Sequence, residues 1–509
     1  MFFHSFEFIA VFLPLAFIGF ALAHRVGSWP AVYGYLALLS LAFYGQFSLS
    51  LLAILGTSLA GNYAVARLIL ARRAAGHGAG ALLGLGLAGN LAGLGYFKYS
   101  NFAISIANDL AGAGIDHVDI ILPVGISFYT FIQIGFLLEA YSGQVKRMPT
   151  VPRYVLFGAF FPVVTAGPLL LQGEFFGQMD ERRDRALDSR RIAAALTLFA
   201  IGLFKKVVLA DSVAPYADLA FDGVAAGAAI GALEAWGGSL AYTLQLYFDF
   251  SGYSDMAVGL GLLFGLRLPL NFNSPFKATS ISDFWRRWHM TMTRFFTTYV
   301  FTPLAMRNMR RAMRGGWGPG RKFALTAGVP IFVTFLVGGI WHGAGWTFVV
   351  YGAIHGAALA IDKAWQTFRM PSLGPVAGWG LTMAVVVSGL VVFRAPDMSV
   401  ALTVLAQMWT LGLAVPQQIA ESAVVLDAAH LGSLIVLLGA IVLMAPNSQQ
   451  ILGHDPVSSD LPEGERRGWK LPEAMRWEPN LGWAVTAAAA GVVAIGFLGQ
   501  DASFLYYQF

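Results

Sequence analysis

The chain has 509 residues, of which 57% are hydrophobic and 12% charged, whereas an ordinary soluble chain carries about a quarter charged residues. A surface this apolar has no stable arrangement in water, which excludes a soluble globular protein. The formal net charge of +5 fits cytoplasmic loops that retain Lys and Arg and does not point to nucleic acid, and the absence of cysteine rules out disulfides and thiol nucleophiles.

Residues 1–8 hold no basic cluster, and Ala21-Leu22-Ala23, the one feature favouring cleavage, runs straight into His24-Arg25. The first apolar run, 8–23, is therefore read as a retained span and not as a signal peptide. Further uncharged runs follow at 31–47, 155–172, 192–204, 323–340, 378–393, 430–445 and 482–498. Several approach the roughly 20 residues that cross a bilayer as a helix. About a dozen membrane elements are expected, the shorter ones tilted, re-entrant or merged with neighbours.

Basic loops stay in the cytoplasm. Arg67, Arg72 and Arg73 form one cluster, Arg182, Arg183, Arg185, Arg190 and Arg191 a second, and Arg307, Arg310, Arg311, Arg314, Arg321 and Lys322 a third. All three are placed inside, which puts residues 1–6 outside. The segment 210–233 has no Lys or Arg and carries Asp211, Asp218 and Asp222, so it also reads as outside. Lys205 and Lys206 conflict with this scheme, because they fall near the outer end of the run that begins at Ile192. Either they line a polar interior or the element is re-entrant. Residues 446–480 mix acids and bases and read as a cytoplasmic loop, which sends the last span outward. No fixed-period repeat is found.

The informative polar residues lie between Ser280 and Ile340 and just beyond. In S-I-S-D-F-W-R-R-W-H-M-T-M-T-R-F-F, Ser280 or Ser282 can cap a helix, with Asp283 at its positive end. On a continuous helix Phe284 and Trp288 share one face, Trp285 and His289 another, and Arg286 and Arg287 point elsewhere. That pattern predicts a helix in the membrane interface with its arginines toward headgroups. Next comes V-G-G-I-W-H-G-A-G-W-T-F-V-V-Y-G-A-I-H-G, which sets His342 between two apolar runs, among Gly338, Gly339, Gly343 and Gly345. An imidazole at membrane depth is costly unless it meets a polar cavity or a partner. The glycines permit close approach of a substrate or of a neighbouring helix. His355 reads as a packing residue or as support for the site.

Two histidines 53 positions apart are too few for a metal site, and there is neither a phosphate-binding loop nor a dinucleotide fingerprint. General base catalysis remains: a neutral imidazole can take a proton from a hydroxyl as it attacks an activated carbonyl. To this point a proton-coupled transporter fits equally well.

The same residues resemble the membrane-bound O-acyltransferases. D-F-W-R-R-W-H (283–289), G-G-I-W-H-G-A-G-W-T-F (338–348) and Y-G-A-I-H-G carry the likeness. It is supported by F-x-F-I-x-x-F-L-P at the start, F-K-Y-S-N-F near Lys98, P-V-G-I-S-F-Y-T-F from Pro123 and F-F-P-V-V-T-A-G-P from Phe160. G-L-F-K-K-V-V-L-A-D from Gly202, Y-F-D-F-S-G-Y-S-D-M-A-x-G-x-G from Tyr247 and N-F-N-S-P-F from Asn271 complete the set. Within the family the chain is most similar to the alginate O-acetyltransferase branch, which acetylates exported polysaccharides. The teichoic acid D-alanyl transferases share the core but are usually shorter. The resemblance implies an all-α polytopic protein, a ring of about 11–13 transmembrane and re-entrant helices around a funnel. Residues 1–395 would form the catalytic core and 396–509 a C-terminal extension. It carries the catalytic histidine onto His342 and the second motif histidine onto His289. Glu139 stands where the family leads one to expect aspartate, a departure that leaves the chemistry unchanged.

The final residues, F-L-Y-Y-Q-F, have the form Phe-x-Tyr-x-x-Phe. This resembles a motif in which the tyrosine is thought to accept the acyl group. The resemblance makes Tyr506 the acceptor and has Phe504 and Phe509 seat the segment; an aromatic belt at the interface is the plainer alternative. The implied donor is acetyl-coenzyme A, with no bound cofactor and no metal. The implied partners are a periplasmic esterase-like protein, membrane lipids and, indirectly, the polysaccharide, all at a bacterial inner membrane. Two other readings stay open: D-alanyl transfer from a carrier-protein thioester, and proton-coupled transport.

Overall fold

The structure, a computed structural model, describes residues 1–180, 188–410, 427–452, 471–472, 475–499 and 504–505. Six helices among them are long and apolar enough to cross a membrane: Phe8–Arg25, Leu49–Ala74, Gly80–Ala111, Ser189–Ala210, Pro319–His342 and Pro375–Arg394. Shorter apolar helices lie at Met398–Trp409, Ala429–Met444 and Leu481–Gly496. Trp29–Gly45, Ile126–Ser142, Ala232–Leu263 and Trp346–Thr367 are further long helices. The chain is thus an all-α polytopic membrane protein. With no water in the bilayer core, the helix is the form that satisfies each backbone donor within its own segment.

Local sequence sets the boundaries. Proline occupies the first turn at Trp29–Gly45 and Pro375–Arg394, where its missing N–H costs nothing, whereas Pro14 and Pro330 follow π-helical turns inside the longer helices Phe8–Arg25 and Pro319–His342. Ser48, Asp397, Asp427 and Asn480 cap the helices that follow them with side-chain oxygens. Short π-helical turns interrupt several helices, including Lys205–Ala210 and Thr297–Phe301. Each admits an extra residue and re-aims the side chains beyond it.

The chain forms two compact units. The first comprises Met1–Phe204, Gly252–Leu270 and Ser448–Gly499. In it Leu49–Ala74 meets Gly80–Leu94 and Ile126–Ser142. There Asn62 and Asn90 exchange side-chain amide hydrogen bonds of 2.7 and 3.2 Å, and Gln133 donates to Ser58 at 3.0 Å. Phe3, Phe8, Phe12, Phe43 and Phe161 pack ring against ring. The second unit comprises Lys205–Ser251, Asn271–Asn447 and Gln500–Phe509. It holds both candidate histidines.

Candidate active site

His342 is the last residue of the helix Val329–His342. Gly343 and Gly345 then run extended before Trp346–Thr367 begins. The two helices form a hairpin whose backbones touch through glycines. A Cβ on Gly352 would lie 2.5 Å from the carbonyl oxygen of Phe335, and one on Gly339 would strike the Phe348 carbonyl oxygen and come 2.8 Å from the Cα of Gly352. Close packing therefore accounts for Gly339. Gly338 faces another way, toward the Phe296 ring, and both glycines border a cavity.

That cavity, of about 40 Å³, is lined by His342, Tyr351, Trp285, Thr293, Thr297 and Thr334, among others. That is room for a few water molecules. His342 is 6% exposed. Its ring is caged by Trp341 at 4.9 Å, Phe393 at 5.2 Å and Tyr351 at 5.9 Å between centroids. Two donors on the cavity wall, Trp285 Nε1 and Thr293 Oγ1, are buried with no hydrogen-bond partner among the described residues. Buried polar groups are rarely left so.

His289 reaches the site by a route that differs from the expected interfacial helix. Ser280 does cap a helix, its Oγ accepting the Asp283 N–H at 3.1 Å, but the helix covers only Ile281–Trp285. Replacing Ser280 by alanine is expected to cost about 1 kcal/mol of stability, read as a lower unfolding midpoint. His289 takes the left-handed conformation, φ 41°, and a new helix, Met290–Phe296, starts after it. Residues 271–273 cause the break. The Met290 N–H donates to the Asn271 carbonyl at 2.9 Å and the Asn273 N–H to the Arg287 carbonyl at 2.9 Å. These bonds replace those a continuous helix would make.

Trp285 and His289 consequently part company. Trp285 packs on Phe335 and His355, whereas His289 meets Phe250 edge-to-face at 4.8 Å and Trp341 at 6.1 Å. Phe284 and Trp288 do stack, at 5.5 Å, but both are buried, so they are packing residues and not interfacial anchors. Arg286 and Arg287 fold back onto Asp283.

Asn271 Oδ1 accepts from Thr291 Oγ1 at 2.6 Å and lies 3.2 Å from His289 Nδ1. An oxygen in that role makes Nδ1 the protonated nitrogen and Nε2 the basic one. Burial pushes the His289 imidazole down to about 3, so it is neutral at any physiological pH. The indole of Trp341 touches both candidate histidines. His355 is 1% exposed and packs on Tyr351 and Trp285, and neither of its ring nitrogens has a hydrogen-bond partner among the described residues.

Of the two conflicting lysines, Lys206 lies in a polar interior. Lys206, in the π-helical turn Lys205–Ala210, is 2% exposed and pairs with Asp211 at 2.7 Å and Asp249 at 2.9 Å. Sequence reasoning recorded Asp249 only as part of a motif, although a carboxylate in an apolar helix is itself a signal. The other oxygen of Asp249 accepts the backbone N–H of Leu505 at 3.1 Å. Phe504 is buried against Phe250. Tyr506 and Phe509 lie outside the described residues. Arg394 pairs with Asp218 at 2.8 Å and Asp222 at 3.1 Å. Arg307, Arg310, Arg311, Arg314, Arg321 and Lys322 are all exposed.

The family model of the membrane-bound O-acyltransferases matches residues 129–402. A peptidoglycan O-acetyltransferase of Helicobacter pylori is 33% identical over 99% of this chain and 96% of its own length. A probable alginate O-acetylase AlgI of Azotobacter vinelandii is 37% identical over 81% of this chain and 79% of its own. A teichoic acid D-alanyltransferase of Streptococcus thermophilus is 30% identical over 48% of this chain and 57% of its own. The match spans the glycine hairpin, both histidines and the buried lysine, and the chain belongs to the membrane-bound O-acyltransferase family and is an O-acyltransferase.

Proposed function

We propose that this enzyme acetylates an exported polysaccharide from a bacterial inner membrane. It takes acetyl from cytoplasmic acetyl-coenzyme A, loads it on Tyr506, and hands it to a periplasmic esterase-like partner. The observation that carries this reading is His342, a buried imidazole at the break of a glycine hairpin, lining a cavity with hydrogen-bond donors that have no partner among the described residues. Residues 1–395 serve as the catalytic core and 396–509 as an extension that brings the acceptor.

A phenol, with its pKa of about 10, is a poor nucleophile at neutral pH. His342 takes its proton as the oxygen attacks the thioester carbonyl carbon. The adduct collapses with cleavage of the carbon–sulfur bond, and the imidazolium returns the proton to the departing thiolate. The carbonyl oxygen becomes negative in between, and the Trp285 N–H and Thr293 O–H are suited to receive it. His289, neutral and oriented by Asn271, borders Trp341 and helps set the thioester in place. The aryl ester on Tyr506 is more reactive than an alkyl ester, so the acetyl group can move on. The exposed arginines from Arg307 to Arg321 supply charge that can attract the donor's phosphates, though they serve equally as a basic cytoplasmic face.

D-alanyl transfer from a carrier-protein thioester is the second reading. The far longer match to the O-acetyltransferase relative favours acetyl. Mass spectrometry of the peptide containing Tyr506, after incubation with donor, is expected to show one added acetyl group, absent in Tyr506→Phe. An added alanyl group would select the second reading. Labelling retained in Tyr506→Phe would remove the acceptor assignment, and no labelling from any thioester would leave transport.

A further inference from the structure

A lysine that is 2% exposed is costly unless its charge is met, and Lys206 is met by two carboxylates. One of these, Asp249, has a second use. Its Oδ2 accepts the Leu505 N–H at 3.1 Å, across 256 positions of sequence. A hydrogen bond from a backbone amide to a carboxylate is stronger than one between neutral groups. The flanking side chains reinforce it. Leu505 is 4% and Phe504 1% exposed, and Phe504 packs on Phe250, which is next to Asp249 and packs on His289. Residue 505 is thus tied by its backbone to an ion pair, and residue 504 by its ring to the wall of His289.

We propose that Lys206 and Asp249 form an anchor that seats the segment carrying Tyr506, and that both are positioning residues for acyl transfer. Lys206 holds Asp249 charged and oriented, and Asp249 holds the segment through its main chain. Main-chain recognition sets register without depending on the side chain at 505. The role in transfer rests on Tyr506 being the acceptor; the anchoring does not.

The donor can be deleted without touching the buried ion pair. Proline at 505 has no N–H, whereas alanine keeps it while losing the leucine side chain. Leu505→Pro is expected to acetylate the Tyr506 peptide about tenfold or more below Leu505→Ala, the loss that a hydrogen bond to a charged group implies. Equal labelling in the two would overturn the positioning role. Hydrogen exchange reads the anchor independently of chemistry. Peptides spanning 500–509 are expected to exchange faster in Asp249→Leu than in wild type, and Asp249→Asn, which keeps an acceptor oxygen, to restore much of the protection. Wild-type exchange in Asp249→Leu would overturn the anchor. Should Asp249→Leu fail to fold, Leu505→Pro against Leu505→Ala provides the same exchange comparison. Loss of protection in Leu505→Pro with no labelling in wild type would retain the anchor and refute Tyr506 as acceptor.

Discussion

His342→Ala is expected to lower acetyl transfer by about 10²–10⁴-fold, the share a positioned general base contributes. The defect should fall on the chemical step, with donor affinity largely kept, because a base acts on the transferred proton and not on the donor's remote parts. Release of coenzyme A thiol from acetyl-coenzyme A, followed over time, measures it, together with radiolabel on the peptide containing Tyr506. The fold should survive. His342 ends a helix, and the following break is set by glycine backbone and not by the ring. Wild-type rates in this variant would remove the assignment of His342 as base.

The second large effect is expected from a single methyl group. In Gly339→Ala the new Cβ meets backbone atoms, the Phe348 carbonyl oxygen and the Gly352 Cα, and neither can swing aside as a side chain would. One helix of the hairpin must move, at a cost of about 1–3 kcal/mol. His342 lies three residues further along the same helix and moves with it. A displacement of about 1 Å at a reacting group is enough to cost about 10²-fold in rate. Gly338→Ala is the stability control, since its Cβ would sit 3.6 Å from the Phe296 ring, an ordinary contact. A lowered unfolding midpoint for Gly339→Ala beside a near-unchanged one for Gly338→Ala is the result sought. Similar midpoints for the two would show that the hairpin has slack.

How much of this was legible in the sequence depended on whether the cause was local. His342 stands out because an imidazole between two apolar runs is hard to explain otherwise, and the glycines around it mark a close approach whichever partner they serve. The segment from Ile281 to Phe296 misled because its aromatic spacing suits one helix. The left-handed turn at His289 is imposed by Asn271, 18 positions earlier, through bonds that leave no periodic trace. Lys206 looked misplaced for the same reason. Its partner Asp249 comes from another helix, and the π-helical turn that carries Lys206 is invisible to a 3.6-residue pattern. The anchoring of Leu505 is a main-chain contact, to which the identity of residue 505 gives no clue.

Phe393 and Arg394 are consecutive residues at the end of one helix. The first forms part of the cage 5.2 Å from His342, and the second reaches two half-exposed acids, Asp218 and Asp222. An ion pair with exposed acids is therefore one peptide bond from the aromatic cage around His342. Salt screens such a pair, with a Debye length that falls from about 8 Å at physiological strength to about 3 Å at 1 M. Raised salt is therefore expected to loosen the end of the helix that carries Phe393 beside His342.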